Sequence, residues 1–296
     1  MSCRAARSRI PRRPWISALK SNLPDALRHS HEVPDDVRRA LARVRERCGA
    51  ISRRIHWLTT TGSTNDVAAH LAELGAEEGT TVVAESQTAG RGRHGRTWFS
   101  PPGAGLYVSV VLRPAGELAR RNPAALLTLA SGVAVAEAVR TVTGLPAEIK
   151  WPNDVVINRR KLAGILAEGA SQGGTLQHVV LGLGVNLQAT AYPAEIALRV
   201  TSIEAETSRP SDRALMLAEI LAAVSERYAD LRAGRFDAIL SAWRRLAWAL
   251  GAAFVEWDSP DGVIRGRAED IDEHGALLVR VGGRIERVVA GEIRWM

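Results

Sequence analysis

Short apolar runs and longer apolar-periodic stretches alternate along the chain, separated by turns that carry glycine and proline, which predicts a protein of mixed helices and strands. Residues 34–49, opened by Pro34-Asp35-Asp36 and closed by Gly49, read as one short amphipathic helix. Strands are predicted at 55–58, 81–84 and 106–112, with a helix at 67–74 after the first. A long, mostly apolar helix over 123–142, ended by Gly144, reads as the central core helix. Strands follow at 147–151 and 155–157. A hairpin turn at Asn158-Arg159-Arg160 leads into another at 161–168, and residues 179–187 form an apolar strand with two glycines. Two amphipathic helices, 212–231 and 236–250, precede a change of pattern at Gly251. Beyond it, short β-type runs at 253–257, 263–270, 276–281 and 285–294 predict a small barrel.

Charge divides the chain. Residues 1–54 hold 14 of the 39 Lys+Arg and 5 of the 32 Asp+Glu, a balance of +9, and the rest carries −2. The basic character belongs to an N-terminal extension (1–54) whose first 14 residues read as a disordered tail and resemble a mitochondrial-type presequence in composition. No specific DNA binding by the body is implied by charge, and no pair of helices of helix-turn-helix type is visible. No apolar run approaches the ~20 residues that span a bilayer, so no membrane partner and a cytoplasmic location are expected. Two cysteines, Cys3 and Cys48, give neither a disulfide framework nor a metal cluster.

Between the strands at 81–84 and 106–112 lies Gly90-Arg91-Gly92-Arg93-His94-Gly95-Arg96-Thr97-Trp98. The literal G-x-G-x-x-G inside it is not a dinucleotide site, because Pro101-Pro102 prevents the helix that such a site requires. Alone, the loop repels itself and lacks an anchor; over a polyanion, its glycines admit close approach and its arginine forks pair with phosphate oxygens. It reads as a lid. Only three of the 39 basic residues are lysine, and two of these, Lys150 and Lys161, fall within one short segment with Asp154. A compact ammonium is not interchangeable with a guanidinium, so these positions are candidate chemistry. The hairpin would bring Lys150, Asp154 and Lys161 to one site. Ser63, Thr64 and Asn65 read equally as helix caps or as pocket groups, and Asn186 as a buried hydrogen-bonded side chain or a ligand contact.

Taken together, Gly62-Ser63-Thr64-Asn65, Gln87 with the 90–98 loop, Lys150-Trp151-Pro152-Asn153-Asp154, Lys161-Leu162-Ala163-Gly164-Ile165-Leu166 and Gly182-Leu183-Gly184-Val185-Asn186 resemble the biotin–protein ligases, in that family's order. The resemblance implies an α+β catalytic domain related to class II aminoacyl-tRNA synthetases over 55–250 and an SH3-like C-terminal domain over 251–296. It implies that biotin and ATP give biotinyl-5′-AMP, and that biotin then passes to a lysine of a biotin carboxyl carrier protein of acetyl-CoA carboxylase or another biotin-dependent carboxylase. By resemblance, Ser63, Thr64, Asn65, Gln87, Arg91, Gly92, Arg93, Lys161 and Gly164 contact biotin, while Arg91, Arg93, Arg96, Trp98, Lys161 and Asn186 lie near the adenylate. Lys161, Arg93, Asp154 and Lys150 carry catalysis, with Asp154 either holding Mg²⁺ or orienting the acceptor amine. Family members often pair through their sheets, so a homodimer is a candidate assembly. Some members carry an N-terminal winged helix and repress genes; this chain reads as the monofunctional type. A lipoate–protein ligase and a biotin-sensing DNA-binding regulator are the rival readings.

Overall fold

The computed structural model describes residues 30–190, 192–259, 262–289 and 293–296. The arginine-rich tail, Cys3, Lys20 and the turn residues Pro260 and Asp261 fall outside them. Eight strands form one mixed sheet in the order β1-β2-β3-β4-β8-β7-β6-β5. They are β1 (Ser30–His31), β2 (Ile55–Thr61), β3 (Thr81–Gln87), β4 (Gly105–Leu112), β5 (Glu148–Lys150), β6 (Asp154–Ile157), β7 (Arg160–Gln172) and β8 (Thr175–Asn186). Only β2 and β3 run parallel; the other neighbours are antiparallel.

Side-chain alternation gives the sheet two faces. On one, Trp57, Val83, Leu106, Val108, Val110 and Leu112 join the main core. On the other, Leu58, Val82, Ala84, Val111 and Val180 pack against Val67, Ala68, Leu71 and Ala72 of helix α3 (Thr64–Glu73). The predicted single helix over 34–49 is two, α1 (Asp35–Arg43) and α2 (Arg45–Cys48), broken at Val44. Both lie on the core: Val37, Ala40, Val44, Cys48 and Ile51 are buried in it. Arg47 is held by Glu219 and Glu226 at 2.8 and 2.7 Å.

A short helix, α4 (Gly116–Arg120), leads to α5 (Pro123–Thr143), which is capped by Asn122 at its start and by left-handed Gly144 (φ 73°) at its end. Against the expectation from sequence, α5 is long and apolar enough to cross a membrane by length and composition. Here it is the core helix, with Leu126, Val133, Ala134, Val135, Ala136 and Val139 inaccessible to solvent. Two short helices, α6 (Ala194–Ala197) and α7 (Ile203–Thr207), precede α8 (Arg213–Arg232) and α9 (Phe236–Leu246), which pack with α5. The last of these stops four residues before its expected end.

The second sheet is antiparallel, in the order β12-β11-β10-β9-β13, from β9 (Phe254–Ser259), β10 (Gly262–Ile271), β11 (Leu277–Val281), β12 (Arg284–Val288) and β13 (Ile293–Trp295). The run expected at 285–294 is thus two strands on opposite edges. Val255, Trp257, Ala268, Ile271, Leu277 and Val279 continue the main core. Trp151 Nε1 donates to Gly275 O at 2.9 Å, which ties the two sheets together.

Candidate active site

A cleft of about 780 Å³ opens on the α3 face of the large sheet. Its floor follows from register. Tyr107, Gly184 and Gly164 lie side by side across β4, β8 and β7; the next rung is Ser109, Gly182 and Leu166; the next is Val111, Val180 and Glu168. Two rungs therefore carry glycines, and these leave a trough. The glycine pattern suggests close approach by a ligand or another backbone, but the structure fills the space with side chains. A Cβ at Gly182 would lie 2.3 Å from Asn65 Oδ1, and one at Gly184 2.4 Å from the Trp98 ring.

The neutral end of the cleft is a hydrogen-bonded chain. Ser63 occupies the N-cap position of α3 without a side-chain capping bond. Instead Gln87 Oε1 accepts from Thr64 N at 2.8 Å and from Thr64 Oγ1 at 3.1 Å, so a residue from β3 caps the helix. Gln87 Nε2 donates to Ser100 Oγ at 2.9 Å, and Ser100 Oγ to Trp98 O at 3.0 Å. Ser109 Oγ donates to Asn65 Oδ1 at 2.6 Å and lies 2.8 Å from Thr64 Oγ1. Asn65 Nδ2 donates to Glu168 Oε2 at 2.7 Å.

The cationic end is built by the β6–β7 hairpin. Asn158 and Arg159 have positive φ (50° and 65°), the backbone of a tight two-residue turn. Glu206 holds that turn, accepting from Asn158 Nδ2 at 3.0 Å, Arg160 Nη2 at 2.7 Å and Thr201 Oγ1 at 2.6 Å. The pairing of β6 with β7 then slips by one residue: Ala163 faces Val155 but Lys161 faces Val156. The extra residue, Leu162, turns Lys161 to the same face as Gly164, the kind of re-aiming a β-bulge provides. Lys161 Nζ meets Asp154 Oδ1 at 2.6 Å, and Lys150 is paired with Asp154 across β5 and β6. Burial pushes the pKa of Lys150 below the usual lysine value; Asp154 opposes this, and Lys161 and Arg199 add to it. Burial likewise lowers that of Arg93, with Asp154 opposing. An anion arriving here would relieve both.

The loop at 90–98 has anchors, against the expectation from sequence. Gly92 N donates to Arg96 O at 2.7 Å and Trp98 N to Gly90 O at 2.8 Å, closing a small hairpin with His94 left-handed at its tip (φ 56°). Arg91 Nη2 reaches Glu168 at 2.6 Å and Asp66 at 3.0 Å. The Trp98 ring lies over the glycine trough with Lys161 Nζ 5.2 Å from its centroid, and its buried Nε1 meets no acceptor among the described residues.

All fourteen residues singled out from sequence line this one cleft: Ser63, Thr64, Asn65, Gln87, Arg91, Gly92, Arg93, Arg96, Trp98, Lys150, Asp154, Lys161, Gly164 and Asn186. Besides Thr64, Asn65 and Gln87, two more are held by the protein itself. Arg91 is engaged by carboxylates, and buried Asn186 donates to Thr201 O at 3.0 Å. The sequence reading missed Ser109, Glu168, Glu206, Tyr192, Arg199 and the β13 residues Ile293, Arg294 and Trp295. All but Ser109, Glu168 and Glu206 line the cleft. Strand alternation was the one available signal, for Ser109 and Glu168. Among the described residues no group of three or more His, Cys, Asp or Glu could hold a metal ion. Asp154, committed to Lys161, does not make a resident Mg²⁺ site by itself.

Known proteins share much of this sequence and fold. The model of the Biotin/lipoate A/B protein ligase family matches residues 57–186, and that of the Biotin protein ligase C terminal domain matches 256–294. A biotin--[acetyl-CoA-carboxylase] ligase of Mycobacterium tuberculosis is 35% identical over 246 residues, 81% of this chain and 88% of that protein. The chain belongs to the biotin protein ligase family. The bifunctional ligase/repressor BirA of Bacillus spizizenii is also 35% identical, over 233 residues, covering 78% of this chain and 70% of that one. A solved biotin protein ligase from Aquifex aeolicus, in complex with biotin and ATP, superposes with a TM-score of 0.71 at 30% identity, covering 82% of this chain and 99% of its own. The α+β fold with its small C-terminal β-domain is thus that of the biotin protein ligases.

Proposed function

We propose that this chain activates biotin with ATP to biotinyl-5′-AMP, releasing pyrophosphate, and then transfers the biotinyl group to one lysine of a biotin carboxyl carrier protein. The observation that carries this is the polarity of the cleft: a neutral hydrogen-bonding end, a glycine-floored middle and a cationic end. Biotin has the same sequence of chemistry, a neutral cyclic urea, an apolar sulfur ring with its chain, and a carboxylate. The urea goes to Ser63, Thr64 and Gln87, whose helix start and strand end are fixed relative to each other. The ring and chain lie along Gly182, Gly184 and Leu166, and the carboxylate points toward Lys161.

Attack of that carboxylate on the α-phosphate brings two anions together. Lys161, Lys150 and Arg93 offset their repulsion and stabilise the charge that builds on the phosphate. The bulge at Leu162 and the pairing with Asp154 hold the Lys161 ammonium at the floor of the cleft. Mg²⁺ would come as part of the ATP substrate, and Asp154 positions Lys161 and then the acceptor amine. Trp98 offers its face to the adenine and its unpartnered Nε1 to a ligand acceptor. The closed loop keeps water from the mixed anhydride until the carrier lysine arrives.

Incubation with ATP, a carrier domain and labelled biotin or labelled lipoate tests the reading. Biotin is incorporated in an ATP-dependent manner; incorporation of lipoate alone would refute it.

A further inference from the structure

Glu168 lies on β7, outside the segments whose motifs mark the family, and one of its oxygens serves two masters. Oε2 accepts from Asn65 Nδ2 at 2.7 Å and from Arg91 Nη2 at 2.6 Å. Asp66, on α3, takes the same Arg91 nitrogen at 3.0 Å. Arg91 is the second residue of the loop that closes over the cleft, and it bridges α3 and β7 across the neutral end.

We propose that Glu168, assisted by Asp66, is a positioning residue that couples the orientation of the Asn65 amide to closure of the loop; this rests on the adenylation proposed above. An amide has two orientations of nearly equal shape. Ser109 donates to the Asn65 oxygen and Glu168 accepts from its nitrogen, so the flipped form would set oxygen against carboxylate and leave Ser109 facing a donor. The same carboxylate grips Arg91. The Arg91 side chain is therefore a strap to the protein rather than a hand on the phosphate. The three charged side chains are 42%, 37% and 60% exposed, for Arg91, Glu168 and Asp66. A strap in such contact with water is weak enough to open and close.

Glu168→Gln separates the two duties, because an amide oxygen still accepts from Asn65 while the charge facing Arg91 is gone. Biotin KM stays within about twofold, and biotinyl-5′-AMP leaves roughly three- to fivefold faster, the range of a partly exposed ion pair. Added salt speeds release from the wild type more than from the variant. Glu168→Ala removes both duties and raises biotin KM as well. Arg91→Gln matches Glu168→Gln in release, and the double variant Glu168→Gln/Arg91→Gln is no leakier than either. Asp66→Asn, at an exposed position, shifts release in the same direction by less.

Trypsin, which cuts after arginine, gives an arm free of biotin chemistry: without ligand, the 91–96 segment is cut faster in Glu168→Gln than in the wild type. Equal release and equal cleavage in the two proteins would overturn the strap. A wild-type protein that makes no biotinyl-5′-AMP would refute the proposed function, and the trypsin arm would still decide whether Glu168 holds the loop.

Discussion

At the neutral end of the cleft, Thr64, Asn65, Gln87 and Ser109 are bonded to one another on α3, β3 and β4. At the cationic end, Lys150, Lys161 and Arg93 crowd Asp154, the one carboxylate among the described lining residues. The first region is complete without a ligand; the second carries positive charge that burial disfavours and that an anion would settle. The contrast teaches a division of labour. The end proposed to select the substrate is lined by amide and hydroxyl groups already bonded to one another. The end proposed for the chemistry holds cations whose charge burial disfavours and an anion would favour.

The largest effect is expected where the cationic end is altered with its charge preserved. Lys161→Arg keeps the sign but not the point donor, and biotin-dependent pyrophosphate exchange falls by about 10²–10³-fold, the scale of one lost donor to a developing charge. Gly182→Ala strikes the other end. Its Cβ would lie 2.3 Å from Asn65 Oδ1, so the amide must move. Biotin KM then rises about tenfold, the order of an overpacking cost, while kcat changes less. Equal changes in both parameters would show that the two ends do not divide the work. Arg93→Gly still activates biotin but releases the adenylate roughly severalfold faster, measured by retention of labelled biotinyl-5′-AMP on the protein.

The parts of this comparison that sequence made legible were local. Lys150, Asp154 and Lys161 stood out because they are close in the chain, and a hairpin turn was visible between them. What escaped was held over long separations. Asn65 and Glu168 are 103 positions apart, and nothing near Glu168 marks it as the group that fixes an amide. The glycines of β8 announced a close approach but not its partner, which comes from Trp98 and Asn65. The core role of α5 was legible from its apolar face, but that it is also long and apolar enough to cross a membrane was not, and packing places it in the core. The second sheet was legible as short strands, yet its approach to the cleft through Ile293, Arg294 and Trp295 depends on docking that no local pattern encodes.

Two smaller effects sharpen the contrast away from its two ends. Trp151→Phe loses the bond to Gly275 O and lowers stability by about 1 kcal/mol, read from denaturant melting. Its pyrophosphate exchange falls only if the second sheet must be fixed for the cationic end to work. The smallest effect is that of His56, whose pKa burial lowers below 6.5, with Arg54 adding to the shift. As pH falls below 6.5 the unfolded chain takes up the proton first, so stability declines toward the folded pKa; above 6.5 the site contributes nothing. His56→Gln flattens that part of the melting profile and leaves biotin KM unchanged.

The most direct test of the central claim is pyrophosphate exchange into ATP by the wild-type protein, without carrier, in parallel tubes with biotin, with lipoate and with neither. The account predicts exchange that depends on biotin and is at background in the other two; exchange supported by lipoate and not by biotin, or independent of either acid, would contradict it.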